Sequence, residues 1–245
     1  MEPSSSLCWN CQKRTGEEHF CTGCGKILPQ RPGTDYFKFF GLPRKLNLDL
    51  EDLEKRFYTL SRKLHPDNFH RASPREKLLS LDKSAVLNDA YRTLKEPLTR
   101  AEYLLSLEGQ KMEVHAKQAP PELLEEVFEL NEWLAELKMA PPREGQNGHL
   151  AELRRQLETA KTHLQQRVEA FHQELIAIFT RWDAAVDSGN LDGQRQDLLE
   201  ELSKTLAKRN YLRNLIRDVS AALAGQAETR NSNVEIRNSE TAKGH

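Results

Sequence analysis

Four cysteines occur in the 245-residue chain, as Cys8-Trp9-Asn10-Cys11 and Cys21-Thr22-Gly23-Cys24, a C-x2-C-x9-C-x2-C pattern. Each pair bends the backbone into a short knuckle that turns two thiolates to one side. Two such knuckles complete a tetrahedral sulfur shell for one zinc ion, with no ligand position left open for water or substrate. Cys8, Cys11, Cys21 and Cys24 are therefore the expected ligands of a structural zinc. Gly23 and Gly25 relax the second knuckle so that amides can turn toward the sulfurs. A dithiol redox pair or another soft metal would use the same residue types, but a second CxxC at ribbon spacing favours zinc. His19, inside the loop, is expected to be a solvated histidine, because four cysteines already fill the shell. Confinement of every cysteine to the first 24 residues argues for a reducing compartment rather than a disulfide framework.

The second set with chemical potential is His65-Pro66-Asp67. A proline at 66 biases residue 65 away from helix and stiffens the turn, so the imidazole and the carboxylate leave a rigid base. His65, Asp67 and the nearby His70 could suggest a metal or general-base cluster, but no second carboxylate or nucleophile lies at a suitable spacing.

The elements that position this tripeptide are helices. Asp35-Tyr36-Phe37-Lys38-Phe39-Phe40-Gly41-Leu42 predicts a short apolar helix that stops at Gly41. Asp49 is an expected N-cap for a second helix, with Leu50, Leu53, Phe57, Leu60 and Leu64 on one stripe. Lys55, Arg56, Arg62 and Lys63 lie on its opposite face. A third helix is expected from Ser73-Pro74, with Ser73 as N-cap and Pro74 in the first turn. It carries Leu78, Leu81, Ala85, Asn88, Ala90, Tyr91 and Leu94 and ends at Glu96-Pro97. Further on, Leu123, Leu124, Val127, Phe128, Leu130, Leu134 and Leu137 mark another helix. Spacings of three and four recur from Leu150 to Val186 and again from Leu198 to Leu223, as an antiparallel three-helix bundle requires. The first bundle helix has a wider apolar surface than one core stripe, flanked by Glu125, Glu126, Glu129 and Glu132. Such a patch suits a protein partner.

Composition agrees with an all-α fold. Hydrophobic residues make up 38% of the chain, charged residues 30% and aromatics 7%, and the commonest types are strong helix formers. Breaks at Ala119-Pro120-Pro121, at Pro141-Pro142-Arg143-Glu144-Gly145 and at Ser188-Gly189-Asn190 separate the elements. The expected organisation is a cysteine module and linker over 1–31, a helical hairpin domain over 34–108, a three-helix bundle over 118–225, and a polar, disordered tail over 226–245. The net charge of −1 gives no case for nucleic acid as a partner. No stretch reaches eighteen uncharged apolar residues, so no membrane span is expected. The N-terminal residues lack the look of a transit or secretory presequence.

Three strings make the hairpin specific: Asp35-Tyr36-Phe37, then Tyr58 to Asp67, then Leu87-Asn88-Asp89-Ala90-Tyr91-Arg92-Thr93-Leu94. In this register the segment resembles the J-domain. The resemblance implies that the basic face of Lys55, Arg56, Arg62 and Lys63 meets an acidic patch on a heat-shock-type ATPase of seventy kilodaltons. It further implies that Asp67, oriented by His65 and Pro66, engages that ATPase and accelerates its hydrolysis of ATP. A four-cysteine ribbon, an N-terminal J-domain and a short helical bundle together resemble the HscB/Jac-type co-chaperones of iron–sulfur cluster assembly, in their zinc-bearing eukaryotic form. Pro97-Leu98-Thr99-Arg100-Ala101-Glu102-Tyr103-Leu104-Leu105 and the run from Leu123 to Glu132 carry this second resemblance. It implies an adaptor, not an enzyme, whose bundle binds the cluster scaffold protein through Leu124, Phe128, Glu129, Glu132 and Tyr211. Glu125 departs from the family pattern, which is often apolar at that position. The resemblance also implies a mitochondrial setting, with the cytoplasm as the alternative given the N-terminal sequence. A general protein-folding J-domain co-chaperone is the rival function, and homodimerisation through the zinc module is left open.

Overall fold

The computed structural model of the protein describes residues 6–16, 18–110, 121–139 and 147–241. The expected breaks around Ala119-Pro120 and from Pro141 to Gly145 lie outside the described residues, as does the 118–120 edge of the expected bundle domain. The described chain is helical apart from a small β-ribbon near the N-terminus. There β1 (Ser6–Leu7) and β2 (Arg14–Thr15) pair antiparallel, Ser6 opposite Thr15 and Leu7 opposite Arg14.

The helices are α1 (Tyr36–Phe40), α2 (Leu50–Leu64), α3 (Pro74–Lys95), α4 (Pro97–Leu107), α5 (Leu124–Met139), α6 (Asn147–Asp187) and α7 (Arg195–Thr241). Their starts are local chemistry. Asp35 caps α1 by accepting from the Lys38 amide, and Gly41 ends it in the left-handed conformation at φ 64°. Asp49 caps α2 by accepting from the amides of Glu51 and Asp52. Ser73 and Glu76 form a reciprocal capping box at the head of α3, with Pro74 in its first turn. Pro97 likewise opens α4, a separate helix that the sequence reading did not distinguish from its surroundings.

The chain forms two compact units. One comprises residues up to Lys111 together with Ile178–Leu199, and the other Met112–Ala177 together with Glu200–His245. The chain division thus differs from the boundaries expected from sequence, because the end of α6 and the start of α7 pack with the first unit. There Trp182 Nε1 donates to the Arg44 carbonyl at 2.8 Å, and the Asp183 carboxylate accepts from the amides of Leu46 and Asn47 at 2.7 and 2.8 Å. Arg44 pairs with Asp35 at 2.6 Å and with Glu108 at 3.1 Å, and Glu108 also receives Arg195. Arg100, 2% exposed, donates to three backbone carbonyls, those of Leu94, Leu46 and Lys95. A buried guanidinium is tolerable when its donors are used this way and carboxylates act on it, here those of Asp183 and Glu96.

The second unit has an apolar core in which Leu123, Leu130, Leu137, Leu157, Leu212 and Val219 are almost inaccessible. Its stripe follows the expected three-and-four spacing. The polar stretch from 226, expected to be disordered, is helical as far as Thr241. The stretch has no apolar stripe, and its aperiodicity reports a lack of packing pattern rather than a backbone state.

Two sequence expectations for the hairpin are corrected. Leu50 is 47% exposed rather than part of the buried stripe, so that stripe begins at Leu53. Leu78 and Leu81 of α3 are exposed too, and the face that is buried carries Glu76, Ser80, Lys83, Leu87, Ala90 and Leu94. The apolar pattern misplaces the face because α3 turns its first half toward polar partners.

Candidate functional site

The four cysteines converge. Cys8 Sγ lies 3.7 Å from Cys24 Sγ, and Cys11 Sγ lies 3.6 Å from Cys21 Sγ. All four sulfurs fall within 4.8 Å of one another, and none is in a disulfide. Thiolates about 2.3 Å from a shared zinc in a tetrahedron would sit about 3.8 Å apart, so the cluster fits the ion. The two knuckles repeat one geometry. The amides of Cys8 and Cys21 donate to the carbonyls of Lys13 and Lys26, and those of Gln12 and Gly25 donate back to the carbonyls of Cys8 and Cys21. Gln12 and Gly25 both take positive φ, at 59° and 70°. Asn10 N and Gly23 N point at the sulfurs of Cys8 and Cys21, at 3.4 and 3.3 Å.

These amides favour thiolate. Backbone N–H groups of Cys24 and Gly23 bring the Cys21 thiol down to about 6, and the Lys26 amide lowers Cys24. Against the lowering pull of the Lys13 amide, desolvation and the three neighbouring sulfurs push Cys11 up to about 11. Four sulfurs this close resist full ionisation unless a cation sits among them. Bound zinc would supply a structural cross-link with a closed shell.

His19 is not the solvated loop residue expected from sequence. Its Nε2 sits 3.0 Å from the Phe39 carbonyl and its Nδ1 3.1 Å from Lys83 Nζ, and its ring packs edge-on against Phe39 at 4.6 Å. Burial, then the charge of Lys83, lowers its pKa to about 4, so the ring is neutral near pH 7. That makes Nε2 the donor to Phe39 and Nδ1 the acceptor from Lys83. The packing that draws this histidine in comes from residues far along the chain, so no local signal marked it.

At the far end of α2, Pro66 opens a 3-10 turn, Pro66–Phe69, and His65 is forced to ψ 131°. His65 Nδ1 accepts from the Asp67 amide at 3.3 Å and lies 3.4 Å from the Asp67 carboxylate. Asn68 ties the turn to the Arg62 carbonyl at 2.6 Å, and His70 Nδ1 lies 2.7 Å from the Asp67 carbonyl. Phe69 is buried beneath the turn, while the Asp67 side chain is 90% exposed. The result is an anchored turn with a projecting carboxylate.

The basic residues of α2 divide into two kinds. Lys55, Arg62 and Lys63 are exposed. Arg56 instead bonds Asp52 at 2.8 Å and the carbonyls of Phe40 and Gly41 at 3.0 and 3.3 Å. It closes the C-terminal end of α1, a structural task the charge pattern did not reveal.

On α5, Leu124 and Phe128 are 55% and 65% exposed. Helical spacing sets Leu124, Phe128 and Glu132 in one row, each four residues apart. Glu129 belongs to the other flank, with Glu126 and Trp133, where they line a groove of about 410 Å3 against α6. The five expected scaffold-contact residues thus do not form one row. Tyr211 is half-buried and packs against the bundle core.

A four-thiol ribbon, a helical hairpin bearing an exposed aspartate on a proline-stiffened turn, and an α-helical bundle define an α-helical protein with a metal-ready module. No family model matches the chain. It is 40% identical to the mouse protein named iron–sulfur cluster co-chaperone protein HscB over 134 residues, 53% of this chain and 57% of that protein. An Arabidopsis thaliana homologue of that name is 36% identical over 133 residues, 54% of this chain and 52% of the other. A Vibrio cholerae protein named co-chaperone protein HscB homolog is 48% identical over 103 residues, 41% of this chain and 59% of the other. The chain therefore spans somewhat over half the length of these relatives. Among solved structures, human co-chaperone protein HscB superposes with a TM-score of 0.59 at 28% identity, covering 88% of this chain and 98% of that one. Chaperone HscB from Vibrio cholerae gives 0.54 at 29%, covering 78% and 99%. By these likenesses the chain is similar to the HscB co-chaperones in sequence over its matched part and in fold. Among the described residues, no helix is long and apolar enough to cross a membrane.

Proposed function

We propose that the protein is an adaptor co-chaperone of iron–sulfur cluster biogenesis. Its J-domain, residues 34–108, stimulates ATP hydrolysis by a heat-shock-type chaperone, and its bundle presents the cluster scaffold protein to that chaperone. The observation that carries the reading is the Asp67 carboxylate, 90% exposed on a turn anchored by Pro66, Asn68 and Phe69. A group that merely capped its own loop would turn inward to amide donors. Lys55, Arg62 and Lys63, exposed along α2, supply positive charge for encounter with an acidic surface.

The apolar row of Leu124 and Phe128, edged by Glu132, supports a single compact partner site over the broad groove that a general folding co-chaperone would need. The names of the relatives support the iron–sulfur setting, and the family resemblance supports a mitochondrial location. Zinc in the four-cysteine cluster is structural in this reading.

The test is ATPase stimulation. Asp67→Asn should abolish acceleration of the chaperone's steady-state ATP turnover while leaving scaffold affinity and helicity unchanged. Retained acceleration would remove the J-domain assignment.

A further inference from the structure

The cysteine module is tied to α3 at three points. The Arg75 guanidinium lies 4.7 Å over the Trp9 ring, and Trp9 is itself anchored by Nε1 donating to the Ile27 carbonyl at 2.8 Å. Lys26 pairs with Glu76 at 2.9 Å, and this is the same carboxylate that closes the capping box with Ser73 at the head of α3. His19 bonds Lys83, one further two-turn step along the helix, and also the end of α1. Residues 76, 80 and 83 share a face, and all three are buried although all three are polar.

From that face the connection reaches the His-Pro-Asp turn. Ser80 and Ser84 both donate to the Leu64 carbonyl, at 2.6 and 3.1 Å. Leu64 is the last residue of α2 and directly precedes His65. On its other side the turn runs into Ser73, where Lys26 acts through Glu76. Trp9 and Lys26 flank or lie between the cysteines, so their positions depend on the fold of the two knuckles. A module this small, with a two-residue β-pair and few buried apolar side chains, has little else to hold it.

We infer that the four-cysteine module is a metal-dependent brace for the His-Pro-Asp turn: with zinc bound, Trp9, Lys26 and His19 hold the first half of α3, and α3 holds Leu64 and the turn. This rests on the assignment of zinc to the four cysteines. Metal loss frees the knuckles, releases Glu76 and Lys83, and loosens the turn without unfolding the bundle. Partner stimulation then depends on metal occupancy.

Amide hydrogen exchange on the full chain tests this, with bound zinc counted by elemental analysis. Three proteins are compared: wild type, Cys21→Ser/Cys24→Ser, and Lys26→Met/Arg75→Ala. The serine variant should lose zinc, and exchange over residues 64–80 should rise about tenfold, with residues 150–175 unchanged. Lys26→Met/Arg75→Ala should keep one zinc and a protected module, yet show the same faster exchange over 64–80. Unchanged exchange over 64–80 in either variant overturns the brace, as does an equal rise over 150–175, which would mean general destabilisation. If wild type holds no zinc, the metal assignment itself fails and the brace fails with it; one zinc with no effect on the turn sinks the brace alone.

Discussion

Lys83 shows how much a single buried charge can shape behaviour. Its side chain is nearly inaccessible, its hydrogen-bond partner is the neutral ring of His19, and no carboxylate pairs with it among the described residues. Burial lowers its pKa from 10.5 to about 8. In the unfolded chain the amine keeps its proton up to about 10.5, so between these values the unfolded state binds the extra proton. Stability should therefore rise with pH across that window, by at most about 1.4 kcal/mol per unit. Below about 8 the folded state carries the full cost of the ammonium. Lys83→Met should raise stability at pH 7 by about 1–3 kcal/mol and flatten the slope. Urea denaturation of wild type and variant at pH 7, 8 and 9 checks both, and the difference between the two proteins isolates this residue from the thiols.

Asp67 is the opposite case, a charge left outside. Replacing it should cost the fold almost nothing, because its carboxylate has solvent around it. Function lost with stability retained is the signature that separates it from Lys83.

At the scale of elements, α5 carries the clearest division of labour. Leu123, Val127, Leu130, Leu134 and Leu137 face the core, and Leu124 and Phe128 stand out from it. Phe128→Ala should weaken scaffold binding by about 2 kcal/mol or more if the ring is an interface anchor. Being 65% exposed, it should shift the thermal midpoint very little. Isothermal titration and a melting curve on the same sample read the two effects separately. Glu129 sits on the α6 flank, so Glu129→Gln should have a smaller effect on that binding than Glu132→Gln. Equal losses would mean that the partner reaches over both flanks.

At the scale of the whole molecule, α6 contributes to both compact units. Its stretch up to Ala177 packs in one, and its end, with Trp182 and Asp183, packs in the other. Trp182 is 1% exposed and Asp183 binds two backbone amides. A fragment ending at 110 would expose the ground beneath Trp182 and leave the amides of Leu46 and Asn47 without their acceptor. It should be less stable than the same region of the full chain by about 3–5 kcal/mol. Exchange-derived free energies for residues 50–95 in the fragment and the full chain give that difference. Trp182→Ala in the full chain should reproduce most of it.

Residue types and short spacings were enough to read what is local. Asp49 and Ser73 were legible as caps, Gly41 as a stop and Pro66 as the cause of the turn, because each acts on backbone within a few residues. The paired CxxC strings were legible as one sulfur cluster, since each knuckle is built from its own four residues. The bundle stripe was legible because helical periodicity repeats over many turns. The roles of His19, Lys83, Arg56 and Asp183 emerge only in the folded chain. Their partners lie 20, 64, 16 and 137 positions away in sequence, and polar contacts at such separations leave no periodic trace. So does the buried face of α3: partners brought in by the chain's path cover a polar stripe that hydrophobic patterning assigns to solvent.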